Sequence, residues 1–181
     1  MKCDPRYECD TRFSTTVVTN GQRAGVVVFG SGRYVPGIGD VFATQTSAED
    51  VPGRADNSAL RRVTETFESW VGNMMREGKY MGWFAMSDGK VVAGAGLMIM
   101  DWPPHPLDPE PHRGYLLNVY VDPEFRRKRI ASNLIELALA EARRRKIRVV
   151  SLHATEESRR MYESSGFRRT NEMFYVEPVE G

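Results

Sequence analysis

The stretch from Gly114 to His153 constrains the fold more than any other part of the chain. An apolar run at 114–121 predicts a strand, which Asp122-Pro123 ends. From Ile130 to Lys146 the apolar residues recur on one helical face, so we expect an amphipathic helix there. A second apolar strand follows at 147–153. A strand, a helix and a strand in this order predict a right-handed βαβ crossover.

Shorter patterns on both sides of the crossover predict further elements. Ser58 precedes apolar residues at helical spacing, and Gly78 follows them, so we expect a helix capped by Ser58 that stops near Glu77. Asp88-Gly89 is typical of a two-residue hairpin turn. The remaining expected elements are, in chain order, strands at 80–87 and 90–100, an exposed loop with five prolines at 101–113, a short helix at 156–165 stopped by Gly166, and strands at 167–169 and 172–176. The fold class is therefore α/β, a mixed and mostly antiparallel sheet with a central βαβ crossover and flanking helices.

The chain divides near residue 57. Residues 1–57 are rich in glycine and lack a clear period, apart from β-like runs at 13–19 and 25–29 around Asn20-Gly21. We expect an atypical N-terminal segment with a β-hairpin at 1–57, and one main domain at 58–181.

Composition excludes several classes of protein. With 181 residues, 41% hydrophobic and 27% charged, the chain matches an ordinary globular domain. No apolar run approaches 18 residues, and the first ten lack an apolar segment, so we expect neither a membrane span nor a secretory signal. Cys3 and Cys9 cannot form a disulfide framework. These features together favour a cytoplasmic protein, and the net charge of +1 gives nucleic-acid binding no global support.

The chemistry-bearing motif is a basic turn between the strand and the helix of the crossover. The sequence there reads LNVYVDPEFRRKRIA, from Leu117 to Ala131. Unpaired N–H groups in the first turn of a helix, the positive end of its dipole and flanking cations together attract a phosphoryl group. The alternative interpretation of Arg126–Arg129 is a solvated basic turn or a localisation-like run.

A second motif, Tyr162 followed by Gly166-Phe167, lies about thirty residues further on. The basic turn and this tyrosine, in their strand–helix order, resemble the GNAT family of acyl-CoA-dependent N-acetyltransferases over roughly residues 58–177. The resemblance implies a GNAT fold and acetyl-CoA as co-substrate. We expect no metal, because the loop histidines His105 and His112 have no Cys or third ligand at metal spacing. The resemblance also implies site residues: Tyr162 as proton donor to the leaving thiolate; the backbone of Val119, Tyr120 and Val121 against the pantetheine; and Arg126, Arg127, Lys128, Arg129, Ile130 and Ala131 around the pyrophosphate.

Two features depart from the family pattern. The family usually has glycine where this chain has Arg129, and glycine lets the backbone approach the pyrophosphate closely. Residues 1–57 do not show the family's opening order of a strand and then an amphipathic helix, so the acceptor side is the least predictable region. No base is identifiable by motif, although four residues lie near the expected loop or strand: Asp101, His105, His112 and Tyr115.

The sequence thus predicts an N-acetyltransferase that moves an acetyl group from acetyl-CoA to a primary amine of a small molecule or peptide. One alternative is a GNAT-like module that binds acyl-CoA without turnover. The other is a nucleic-acid binder that uses the basic runs at 126–129 and 143–148. A homodimer is left open, and no membrane partner is expected.

Overall fold

The computed structural model describes residues 14–19, 22–29, 57–88, 90–104, 106 and 108–170. In chain order the elements are β1 (Ser14–Thr19), β2 (Gln22–Phe29), α1 (Asn57–Arg76), β3 (Tyr80–Ser87), β4 (Lys90–Asp101), β5 (His112–Val121), a 3₁₀ turn (Pro123–Phe125), α2 (Ile130–Arg144), β6 (Val150–Ser151) and α3 (Arg159–Ser164).

The six described strands form one sheet in the order β1-β2-β3-β4-β5-β6. Neighbours pair antiparallel from β1 to β5, whereas β5 and β6 pair parallel on either side of α2. This confirms the mixed sheet with a βαβ crossover. Thr19 lies opposite Gln22 and Ser87 lies opposite Lys90, so both expected two-residue hairpins are present. The N-terminal hairpin joins the main sheet, because β2 pairs with β3.

Two apolar clusters cover the two faces of the sheet. On one face α2 contributes Leu134, Ile135 and Ala138, all fully buried, to a cluster with alternate residues of β3 and β4. On the other face α1 contributes Val71 and Met75, which pack against Tyr80 of β3. Burying a Leu or Ile side chain contributes about 1.5–3 kcal/mol. We call these two sides the α2 face and the α1 face.

The end of α1 confirms one expectation and corrects another. Gly78 has a φ of +70°, and the amides of Gly78 and Lys79 donate to the carbonyls of Met75 and Met74 at 3.0 and 2.8 Å. This is the expected glycine stop. The helix begins at Asn57, however, so Ser58 lies inside its first turn and the prediction that it caps the helix was wrong.

The crossover ends sooner than its apolar pattern suggests. The helix stops at Arg144 and not at Lys146, which has a φ of +62°. The expected strand at 147–153 shortens to Val150–Ser151, because its parallel register with β5 contains two pairs. An apolar run marks burial, but a strand also needs a partner along its length.

The last described residues also differ from expectation. Helix α3 starts at Arg159, since residues 156–158 form a turn. Residues 167–169 are irregular, because the Phe167 amide donates to the Tyr162 carbonyl at 3.1 Å and so closes the end of α3. The expected strand at 172–176 lies outside the described residues.

The proline-rich loop is shorter than predicted and not wholly exposed. Strand β4 continues through Asp101 and β5 begins at His112. The Trp102 amide donates to the Pro111 carbonyl at 3.0 Å across the base of the loop, and Asp108 is only 5% exposed. In the described part of the chain, no helix has the length and hydropathy to cross a membrane.

Candidate active site

Strand β5 carries a bulge in its middle. Leu117 pairs with Gly96 and Tyr120 pairs with Gly94, so β5 advances three residues while β4 advances two. Asn118 supplies the irregular backbone, with a φ of +56°. The extra residue shifts the side-chain alternation. Leu116 lies in the α2-face cluster before the bulge, and Val119 and Val121 pack against the same cluster after it.

Buried contacts hold the bulge from the α1 face. The Asn118 side-chain amide donates to the Tyr80 hydroxyl at 3.1 Å. Gly96 provides the space for this hydroxyl, because a Cβ at Gly96 would lie 2.0 Å from it. Trp70 of α1 packs edge-on against the Tyr80 ring with centroids 6.0 Å apart. Burial raises the pKa of Tyr80 well above its usual value, and the hydrogen bond from Asn118 opposes this in part. Tyr80 is therefore a neutral, fixed support for the bulge.

Beside the bulge, the pairing of β5 with β6 ends. The parallel register contains Gly114 with Val150 and Tyr115 with Ser151, and it does not extend to the bulge. The backbone of β5 from Asn118 to Val121 therefore has β4 on one edge and no strand pairing with β6 on the other. This opening is where a thioester and its pantetheine arm can hydrogen-bond to strand backbone.

The basic turn follows at the end of β5. Asp122 accepts from the Glu124 amide at 3.0 Å and caps the 3₁₀ turn, while its own amide donates to the Val92 carbonyl at 2.9 Å. The Arg126 guanidinium reaches back to the Val121 carbonyl at 3.3 Å. These bonds tie the turn to the strand, so the start of α2 has a fixed position next to the opening.

Two arginines in this turn have left-handed backbone. Arg127 has a φ of +60° and Arg129 a φ of +61°. Arg129 is the N-cap of α2, and its side chain makes no capping hydrogen bond within the described part of the chain. The amides of the first helical turn thus face outward from a positive helix end, with the exposed side chains of Arg126, Arg127 and Arg129 around them. This arrangement suits a diphosphate.

Tyr162 lies on the α2 face. Its residue is 8% exposed, and its ring meets the Phe167 ring edge-on with centroids 5.9 Å apart. Gly166, with a φ of +93°, allows the chain to reverse between them. Burial raises the pKa of Tyr162 to about 12, so its hydroxyl stays protonated at neutral pH and is a weaker acid than an exposed phenol.

The structure brings much of the predicted site together. Val119, Val121, Ile130 and Tyr162 belong to, or pack against, one apolar cluster on the α2 face. Tyr120 lies between the two valines and, by alternation, points to the other face. Lys128 is half-buried, with its ammonium 4.8 Å from the centroid of the Phe125 ring.

The structure describes the surroundings of three of the four candidate bases. Asp101 forms ion pairs with Lys79 at 3.5 Å and with His112 at 3.6 Å. His105 lies outside the described residues. Tyr115 contacts His153 through its hydroxyl and Nδ1. His153 was missed at the sequence level, although it stood at the end of the predicted strand, and aligning that strand with β5 would have drawn attention to it.

Comparison with known proteins agrees with this geometry. The model of the acetyltransferase (GNAT) family matches residues 46–167, about two thirds of the chain. The chain belongs to the GNAT acetyltransferase family. A GCN5-related N-acetyltransferase from Ralstonia eutropha is 30% identical, with 86% of this chain and 98% of that chain covered and a TM-score of 0.70.

More distant GNAT structures share the fold. A predicted acetyltransferase from Clostridium acetobutylicum, solved with acetyl-CoA, is 24% identical, covers 77% of this chain and 86% of its own, and gives a TM-score of 0.66. Glucosamine-6-phosphate N-acetyltransferase from Arabidopsis thaliana is 18% identical, with coverages of 86% and 99% and a TM-score of 0.55. No curated protein sequence is significantly similar to this chain.

Proposed function

We propose that this GNAT protein transfers an acetyl group from acetyl-CoA to a primary amine. The observation that carries the proposal is the continuity of three features: the basic turn at the start of α2, the opening beside β5 and the bulge at Asn118. A diphosphate, a pantetheine arm and a thioester have the same linear order.

In this proposal the turn at 126–131 holds the pyrophosphate, and the backbone of Val119 and Val121 pairs with the pantetheine. A thioester is already reactive, so positioning the amine against its carbonyl carbon is the main task of the protein. In the proposed reaction, a backbone N–H at the bulge stabilises negative charge on the carbonyl oxygen. Tyr162, which shares an apolar cluster with Val119 and Val121, donates a proton to the leaving thiolate.

The acceptor is proposed to approach from the α1 face, because the surface of α1 carries an open groove there. A groove of about 420 Å³ runs along α1 there, lined by Arg62, Val63, Thr66, Phe67 and Trp70. The Arabidopsis relative is named for a phosphorylated amino sugar. We therefore propose a small-molecule or peptide amine as acceptor, and soluble amines are the first to test.

The basic run at 143–148 gives the nucleic-acid alternative little support. Arg144 and Arg145 both bind the Glu141 carboxylate at 2.6–2.7 Å, and Arg145 also donates to the Gly78 carbonyl at 2.8 Å. Arg145 thus links the end of α2 to the end of α1, and Arg144 pairs within α2, so both have a structural role.

The test measures release of free coenzyme A thiol from acetyl-CoA in the presence of single amines. The panel contains glucosamine 6-phosphate, an aminoglycoside, a polyamine and a lysine-containing peptide. Amine-dependent thiol release supports the proposal. Thermal stabilisation by acetyl-CoA without thiol release would instead establish the binding module, since a ligand that binds the native state raises its stability. If acetyl-CoA gives no thermal stabilisation and no amine gives thiol release, both the transferase and the binding module are contradicted.

A further inference from the structure

Tyr115 and His153 are in contact, and neither residue has a role in the reaction as proposed above. The Tyr115 hydroxyl meets Nδ1 of His153, and the two rings are tilted by 58° with centroids 5.8 Å apart. The residues are 38 positions apart in the chain. The parallel pair of Tyr115 with Ser151 brings them together, because His153 follows Ser151 by two residues.

The position of this pair is defined by the sheet. Tyr115 and Ser151 are the last pair in the register before the opening, and Tyr115 precedes the bulge residue Asn118 by three positions. Tyr115 is half-buried and His153 is exposed, so solvent can reach the pair.

The pair lies on the face of the sheet opposite to Tyr162. Met98, the cross-strand partner of Tyr115, packs against the α1-face cluster, and so does Leu117, which shares the alternation of Tyr115. Tyr162 belongs to the α2-face cluster. The proposed attack requires a proton acceptor at the nitrogen and a proton donor at the sulfur. Groups on opposite faces can perform these two tasks without exchanging a proton directly.

We propose that Tyr115 and His153 form a relay that removes the proton from the acceptor amine, an inference that rests on the proposed acetyl transfer. As the nitrogen bonds to the carbonyl carbon, one N–H bond breaks and its proton forms an O–H bond at Tyr115. The original Tyr115 O–H bond breaks at the same time, and its proton forms an N–H bond at Nδ1 of His153. The imidazolium then loses a proton to water. Tyr115 is the catalytic residue, and His153 acts through it.

The chemistry of the two groups explains why the pair is needed. A phenol alone titrates near pH 10 and is a weak base in its neutral form. An imidazole titrates near neutral pH and accepts a proton readily. A hydroxyl can accept one proton and donate another, whereas a phenylalanine can do neither. The hydroxyl therefore connects the α1 face, where the amine is proposed to enter, to the exposed imidazole.

The test uses the amine that gives the fastest thiol release with the wild-type protein. Tyr115→Phe and His153→Ala should each lower kcat by about 100-fold, at the low end of the range of general base catalysis, while acetyl-CoA affinity stays within about twofold. The double variant should be no slower than the slower single variant, because both changes interrupt one relay. Added imidazole should restore turnover to His153→Ala but not to the double variant.

Two further variants separate catalysis from folding. Glu136→Gln changes an exposed side chain of α2, away from the proposed relay, and should keep the wild-type kcat. His153→Gln keeps a polar side chain of similar length, should match the wild type in thermal unfolding, and should remain slow. Wild-type kcat in either Tyr115→Phe or His153→Gln, or additive losses in the double variant, would overturn the relay while leaving acetyl transfer intact. A wild-type protein that releases no thiol with any amine would overturn both.

Discussion

Replacing Arg129 by glycine tests the phosphate-binding turn at the point where this chain departs from its family. Arg129 has a φ of +61° and a ψ of +14°, which is left-handed backbone. That conformation costs an L-residue about 1–2 kcal/mol. Glycine avoids this cost but loses about 0.5–1 kcal/mol through its greater freedom in the unfolded chain. Arg129→Gly should therefore raise the free energy of unfolding by about 0–1 kcal/mol.

The effect on acetyl-CoA binding depends on two opposing contributions. In the proposed binding mode, the Cβ of Arg129 lies beside the pyrophosphate and lengthens its charge-assisted hydrogen bonds to the turn, each worth about 1.5–3 kcal/mol when well formed. The exposed guanidinium returns about 1 kcal/mol or less by attraction to the phosphate. Because the turn does have positive φ, we expect the crowding to exceed the attraction. Arg129→Gly should tighten acetyl-CoA binding by about 3- to 10-fold, or about 0.7–1.4 kcal/mol.

Calorimetric titration of acetyl-CoA into each variant, at one salt concentration, measures this. The matched control is Arg129→Ala, which keeps the Cβ and removes the charge. It should bind up to about fivefold more weakly than the wild type, since it loses the attraction and relieves no crowding. Weaker binding by the glycine variant than by the wild type would refute the reasoning and make the Arg129 guanidinium a working phosphate ligand.

Three further predictions follow from the buried groups of the site. Tyr162→Phe should lower turnover by about 10- to 1000-fold with little change in acetyl-CoA binding by calorimetry, and unchanged turnover would mean that solvent protonates the thiolate. Gly96→Ala should lower the free energy of unfolding in urea by about 1–3 kcal/mol, because the new Cβ lies 2.0 Å from the Tyr80 hydroxyl. The control Gly72→Ala has open space at its Cβ and should not lower it. Equal stabilities of the two variants would contradict the packing around the bulge. Stability should fall as the pH rises from about 10 to 12, since the pKa of Tyr162 is raised to about 12 in the fold and its protonated form is favoured there. Tyr162 alone accounts for about 3 kcal/mol of that loss, and buried Tyr80 adds to it. Tyr162→Phe should therefore reduce the pH dependence of unfolding without abolishing it, and an unaltered slope would show that Tyr162 titrates normally.

The crossover and both hairpins were predictable because each depends on local pattern. Two-residue turns are set by the residues within them, and the face of α2 is set by helical spacing. Their outer ends were less predictable. Strand β6 was overestimated because the apolar run at 147–153 also serves to fill the core, as Ile147 does at 7% exposure, without strand pairing.

The candidate site was predictable where it follows a motif and not where it depends on register. The basic turn and Tyr162 are continuous or closely spaced in the chain, so the family resemblance could point to them. The contact between Tyr115 and His153 joins two strands through a parallel register that no local pattern specifies. Asn118 did leave a signal, since asparagine tolerates left-handed backbone and is unusual in an apolar strand.

The single extra residue in β5 connects the two halves of the site. Before the bulge, Tyr115 and Leu117 point to the α1 face and Leu116 points to the α2 face; after it, Val119 and Val121 point to the α2 face. If the same residues paired without a bulge, strict alternation would turn Val119 and Val121 to the α1 face and remove them from the cluster that contains Tyr162. The Asn118–Tyr80 hydrogen bond and the space at Gly96 hold this shift in place. Because of the bulge, β5 directs Tyr115, the proposed proton acceptor, to the α1 face. The same strand directs Val119 and Val121 to the α2 face, where they pack against the cluster that contains Tyr162, the proposed proton donor.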